Sequence, residues 1–212
     1  MKVAVFGATG AVGSECAIQC IDAGHEVVAF VRTSEKLDTA IRDKANVVVG
    51  DGLNADDVTR ALAGGVEVVL FAIGVDKNSP EDLCTDVTRH ILAAMPAAGT
   101  RRFIWCGGGS TLTPDDQVTL GARFVELFAR WFMSLRHHDK SHQLALLNEH
   151  REIEWVGVRP LQMRAGPKKT GYRVGYDSFS GMSAIHFADC ADAMIKMIDD
   201  DTWLHKAPIV QY

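Results

Sequence analysis

Gly7-Ala8-Thr9-Gly10-Ala11-Val12-Gly13 sets three glycines at Gly-x-x-Gly-x-x-Gly spacing in a stretch almost without side chains. Glycine permits φ > 0 and lets backbone N–H groups approach an anion, and a following helix N-terminus adds partial positive charge. The chemistry offered is a cradle for phosphate or pyrophosphate. A tight strand-to-helix turn is the plainer alternative, and the spacing is not the Gly-x-Gly-x-x-Gly of the common dinucleotide fingerprint. Arg32 stands where NAD-preferring folds carry an acidic residue for the ribose hydroxyls, and an Arg there accommodates a 2′-phosphate. Thr33, Ser34 and Lys36 could add donors, while a solvated Arg32 beside Glu35 is the competing reading. Ser110 follows Gly107-Gly108-Gly109 and is the only nearby hydroxyl expected at that turn. His138 and His142 lie one helical turn apart with Asp139 between them, but no third ligand is identifiable. A solvated helix face is the commoner arrangement, and no metal is expected.

These residues need elements to hold them. Lys2-Val3-Ala4-Val5-Phe6 is short, apolar and β-branched, which predicts a strand covered on both faces. The glycine turn then enters a helix over residues 11–23, where Val12, Cys16, Ala17 and Cys20 recur at helical spacing. Further strands are expected over residues 25–32, 46–51, 66–73, 102–106 and 154–160, with a last short one at Ile209-Val210. Between them Asn54 caps a short helix, and Ser79 and Pro80 open a helix running to residue 98. Alternation of this kind predicts an α/β fold with a doubly wound, mostly parallel sheet and helices on both faces.

The composition, 212 residues with 47% hydrophobic and 23% charged, fits one globular domain over residues 1–212. A net charge of −5 without any Lys/Arg block excludes a general nucleic-acid or anionic-membrane surface. Five cysteines without Cys-x-x-Cys read as buried thiols. The sequence opens on a charged residue and a strand, so a cytoplasmic protein is expected. Residues 122–135 form an unusually apolar helix whose Phe124, Leu127, Phe128, Trp131 and Leu135 share a face while Val125 and Phe132 begin a second. Core packing, a substrate wall and a dimer face all remain open for it. Arg123, Glu126, Arg130 and Arg136 argue against a membrane role. A small-molecule partner and a monomer or homodimer are expected.

The glycine turn with Ala8-Thr9 inside it resembles the short-chain dehydrogenase/reductase superfamily, more narrowly its atypical NmrA-like and flavin/biliverdin-reductase-like members. Val158-Arg159-Pro160 resembles that family's Val-Arg-Pro strand terminus, and Ile185, Asp189 and Ala191 match its Ile-x-x-x-Asp-x-Ala helix start. The resemblance implies a Rossmann fold holding NADPH, with NADP preferred over NAD. It implies that Gly7, Thr9, Gly10, Ala11, Val12 and Gly13 surround the pyrophosphate, that Arg32 meets the 2′-phosphate, and that Asp51 lies beside the adenine. It sets Ala72, Ile73, Gly74 and Cys106 along the cofactor, Ser110 near the catalytic serine, and Lys140 at the lysine of Tyr-x-x-x-Lys. The tyrosine position holds Arg136. Phe128, Trp131 and Tyr172 are the implied acceptor walls, with a covering segment over residues 161–183. The implied function is a reductase passing hydride to a planar conjugated acceptor of flavin, tetrapyrrole or quinone type. Such an acceptor can take its proton from solvent, which makes the missing tyrosine tolerable. A redox-sensing regulator that binds the dinucleotide without turnover is the alternative.

Overall fold

In β1 (Lys2–Phe6), Val3 and Val5 pack into one apolar cluster and Ala4 and Phe6 into another, because successive side chains of a strand point to opposite faces. A strand buried on both sides needs helices on both sides. On the first face stand α1 (Ala11–Asp22) and, late in the chain, a helix over Phe187–Lys196. On the second stand α3 (Ala55–Leu62), α4 (Leu83–Ala98) and α5 (Ser134–Glu149), with Val58, Leu62, Ile91 and Leu147 in the cluster. The short α2 (Thr39–Arg42) lies between the second and third strands, and the Phe187–Lys196 helix is α6. This computed structural model describes residues 1–117, 123–124, 126–128, 131, 134–176 and 184–212, except the side chains of residues 134 and 135.

The main sheet has eight strands in the order β3-β2-β1-β4-β5-β6-β10-β8, built from β2 (Glu26–Val31), β3 (Asn46–Val49), β4 (Val68–Phe71), β5 (Arg102–Cys106), β6 (Glu154–Pro160), β8 (Arg173–Gly175) and β10 (Ile209–Gln211). All neighbours are parallel except β8, which runs antiparallel to β10 at the edge. A separate parallel pair joins β7 (Gln162–Arg164) to β9 (Ala184–His186). The chain order reverses between β1 and β4, and ligands of open α/β sheets bind beyond the strands' carboxyl ends at such a point. The expected doubly wound Rossmann architecture is present.

Some boundaries differ from expectation. Asn54 caps α3 as expected, its side chain accepting from the N–H groups of Asp56 and Asp57. α4, however, starts at Leu83 and not at Ser79-Pro80. Its cap comes from Asp139 on α5, whose carboxylate accepts from the N–H groups of Cys84 and Thr85 at 2.8 and 2.9 Å. The apolar stretch around residues 122–135 is only partly described. Its Phe124, Leu127, Phe128 and Trp131 are 71%, 57%, 48% and 78% exposed, so these four are not core residues. Val125, Phe132 and the Leu135 side chain lie outside the described residues.

Candidate functional site

A cleft of about 670 Å³ opens beyond the carboxyl ends of β1, β4, β5 and β6, within the size range of small-molecule sites. The glycine turn forms one end. Gly7 has φ +91°, and a Cβ there would meet Ala72 backbone at 2.9 Å, so the first and fourth strands' ends can approach only through glycine. A Cβ on Gly13 would lie 2.1 Å from the Gly7 carbonyl oxygen, which is how α1 seats directly on the turn. Gly10 caps α1 without a side chain, and the first turn carries no acidic residue. Its orphan N–H groups and the helix dipole therefore remain for an external anion, and Gly10, Ala11 and Val12 line the cleft. The residues present fit a dinucleotide's pyrophosphate.

The opposite wall comes from the turn after β5. The glycines there are dictated by packing: a Cβ on Gly107 would meet the Trp105 ring at 2.5 Å, and one on Gly109 would meet Leu161 at 2.6 Å. Ser110 lines the cleft. It is not the sole hydroxyl, contrary to the sequence expectation. Thr111 also lines the cleft, and its Oγ1 is buried without a hydrogen-bond partner among the described residues. The turn is held down by Arg159, fully buried, which donates to the Thr111 carbonyl and to both oxygens of the Asp116 carboxylate, at 2.9 and 2.6 Å. The Arg159 match was visible in the sequence; Asp116, in an aperiodic loop, gave no signal.

Lys140 is buried at the floor. Its Nζ donates to Gln143 Oε1 at 3.0 Å and the Ile73 carbonyl at 3.4 Å, and it stands over the Phe71 and Trp105 rings. Gln143 in turn donates to Thr88 at 2.7 Å, so α5 and α4 fix the ammonium. Cys106 lies 4.0 Å from Cys190, sulfur to sulfur. Its hydrogen bond with Cys190, together with the Lys140 charge, holds the Cys106 thiol below the usual range against the effect of burial, whereas Cys190 is pushed up. Ala72, Ile73 and Gly74 line the same cleft, as does Phe128.

Other expected residues stand apart from it. Tyr172 is not an acceptor wall: its hydroxyl donates to Asp192, and burial followed by that carboxylate raises its pKa. It belongs to a strap fastened to α6, where Asp189 accepts from the N–H groups of Lys169 and Thr170 and from the Tyr212 hydroxyl. Trp131 does not line the cleft either; Phe124, Leu161 and Met163 take that place. Residues 177–183 of the expected covering segment lie outside the described residues. Arg32 and Asp51 are exposed and line neither hollow. A second, polar hollow of mixed charge beside the first turn of α1 is lined by Thr9, Ser14, Glu35, Lys36, Asp38 and Arg42, among others. Arg42 is committed to the Leu37 and Ser34 carbonyls at 2.9 and 3.2 Å, which close the turn after Arg32. His142 pairs with Asp82 at 2.7 Å on the outer face of α5. Among the described residues no helix is long and apolar enough to cross a membrane.

Comparison with known proteins agrees with this geometry. The model of the family described as NAD(P)H-binding matches residues 7–201. The uncharacterized protein YwnB of Bacillus subtilis (strain 168) is 26% identical over 208 residues, covering 94% of this chain and 92% of that protein. ChuY, an anaerobillin reductase from Escherichia coli O157:H7, superposes with a TM-score of 0.80 at 16% identity, covering 100% of this chain and 97% of that one. A proposed NADH-flavin reductase from Streptococcus pneumoniae TIGR4 does so with a TM-score of 0.77 at 22% identity, covering 100% and 99%. With the glycine cradle, the buried lysine and the matched span in agreement, this chain belongs to the NAD(P)H-binding family, a Rossmann-fold group whose cofactor is a nicotinamide dinucleotide.

Proposed function

We propose that the protein is an NADPH-dependent reductase of a planar conjugated acceptor of flavin, tetrapyrrole or quinone type. One observation carries this reading: a single cleft runs from the phosphate cradle at Gly10 to an aromatic and apolar wall of Phe124, Phe128, Leu161 and Met163. A dinucleotide and a flat acceptor would share it. The bound nicotinamide supplies the hydride. The chain's task is then to bind, orient and exclude water: the first turn of α1 takes the pyrophosphate, Lys140 stands fixed over the floor, and the aromatic rings face the acceptor. Arg136, at the tyrosine position of Tyr-x-x-x-Lys, is no general acid at neutral pH, which suits an acceptor protonated from solvent. The flavin and anaerobillin chemistry named for the two structural neighbours supports the acceptor class.

The test is NADPH absorbance with purified protein and, in turn, a flavin, a biliverdin and a menadione-type quinone. Reduction of at least one is expected. Tight NADPH binding with no acceptor reduced would favour the regulator that senses the dinucleotide without turnover.

Arg32 supports the choice of NADPH over NADH. It is exposed at the end of β2 and makes no hydrogen bond or ion pair with the described residues, so its guanidinium can take a 2′-phosphate. NADPH is expected to bind at least about tenfold more tightly than NADH, the lower range for a hydrogen bond to a charged group. Arg32→Ala should erase that ratio, which parallel titrations of both cofactors read directly; equal dissociation constants in the unmodified protein would refute the assignment.

A further inference from the structure

Arg136 and Lys140 are the only Arg, Lys, Asp or Glu side chains that line the cleft among the described residues. None of the described residues that line it carries a carboxylate, although the chain has a net charge of −5. A cationic cleft in an acidic protein concentrates anions locally. The two cations sit four residues apart on α5, hence on one helix face, but they are used differently. Lys140 is buried and donates to Gln143 and to the Ile73 carbonyl. Arg136 is exposed toward solvent, and the structure gives it one bond, from Nη2 to the Val75 carbonyl at 2.9 Å. That bond anchors the guanidinium and leaves most of its five donors for a ligand. The dinucleotide's pyrophosphate already has the uncapped first turn of α1.

We propose that Arg136 makes this site specific for an anionic acceptor, one whose flat ring system lies along Phe128 while a carboxylate or phosphate on its periphery is held by the Arg136 fork. This deepens the reductase reading and rests on it for the word acceptor. The residue that displaces the tyrosine thus binds substrate in place of donating a proton. A planar oxyanion suits a guanidinium better than it would an ammonium, because two parallel N–H donors can meet two oxygens. Phe124, beside Phe128 in the cleft lining, extends the apolar side of the same surface.

The experiment titrates two matched pairs against the NADP⁺-bound protein: FMN with riboflavin, which differ by a phosphate, and biliverdin with its dimethyl ester, which differ by carboxylate charge. Flavin fluorescence and bilin absorbance give dissociation constants whether or not turnover occurs. The anionic member of at least one pair should bind about tenfold more tightly, and the pair that shows this says which oxyanion is recognised. Arg136→Ala should bring the ratio to near one while NADP⁺ affinity stays unchanged, and Arg136→Lys should keep part of it. Equal binding within both pairs, failure of both anionic probes to bind, or a ratio that survives Arg136→Ala overturns the proposal. So does a parallel loss of NADP⁺ affinity, which would assign Arg136 to the dinucleotide. Selective anion binding without any oxidation of NADPH sinks only the reductase reading.

Discussion

Gly10→Val is expected to remove dinucleotide binding while leaving the fold in place. The backbone at Gly10, φ −86° and ψ 163°, is extended and open to any residue. A Cβ there would lie 3.3 Å from the Gly7 carbonyl oxygen and 3.9 Å from that of Ala72, so the neighbours need give only a few tenths of an ångström. What the substitution consumes is the space in front of the first turn of α1, where the phosphate must meet backbone N–H groups. A branched side chain cannot be moved aside there, because χ1 of valine is restricted. NADPH affinity should fall at least about a hundredfold, roughly 2.7 kcal/mol, with the thermal transition nearly unchanged. Fluorescence titration beside a melting curve checks both. A folded variant that keeps its affinity would make the turn merely structural. Gly13 is no substitute for this experiment: a Cβ 2.1 Å from the Gly7 oxygen would lift α1 off the turn, mixing loss of fold with loss of site.

The features that could be read in the sequence are those whose causes are local. β1 was legible because burial on both faces leaves a continuous apolar run, and α3 because its cap, Asn54, adjoins it. The start of α4 was not, because its cap is the Asp139 carboxylate, fifty-five residues beyond Cys84 in the chain. Pro80 suggested an earlier helix start, and the chain instead makes a left-handed residue at Asp82 before the helix can begin.

The site divides in the same way. Gly10, Ala72, Cys106, Ser110 and Lys140 follow strands or sit on a helix at recognisable spacing, and the fold brings all five to one cleft. Tyr172 failed as an acceptor wall because residues 167–172 are tied to α6 by Asp189 and Asp192, a tertiary contact with no periodic trace. Of the three glycines after β5, the bulk of Trp105 and Leu161 requires two, a cause that the sequence does not display. Cys106 and Cys190 meet across eighty-four residues, and spacing alone said only that no Cys-x-x-Cys was present.

Asp116→Ala should be strongly destabilising. Arg159 is wholly buried and its side-chain partner Asp116 is 2% exposed, so removing the carboxylate leaves a guanidinium out of reach of water and without countercharge. Breaking a buried pair from one side costs about 3–5 kcal/mol, which for a chain of this size lowers Tm by roughly 6–20 °C. The Thr113 N–H, which donates to the same carboxylate at 2.6 Å, loses its acceptor too. If the uncompensated charge is the cause, the double variant Asp116→Leu with Arg159→Met should recover part of the loss, because apolar groups of similar volume often replace a buried pair at little cost. If the double variant is worse than Asp116→Ala by the full cost of a second core substitution, what mattered was the Arg159 contacts to the Thr111 and Ala207 carbonyls. A Tm within 2 °C of the unmodified protein for Asp116→Ala would mean that water reaches Arg159 after all. NADPH affinity should fall less than in Gly10→Val, since the cradle at α1 is untouched and only the opposite wall, from Gly107 to Thr111, loses its anchor.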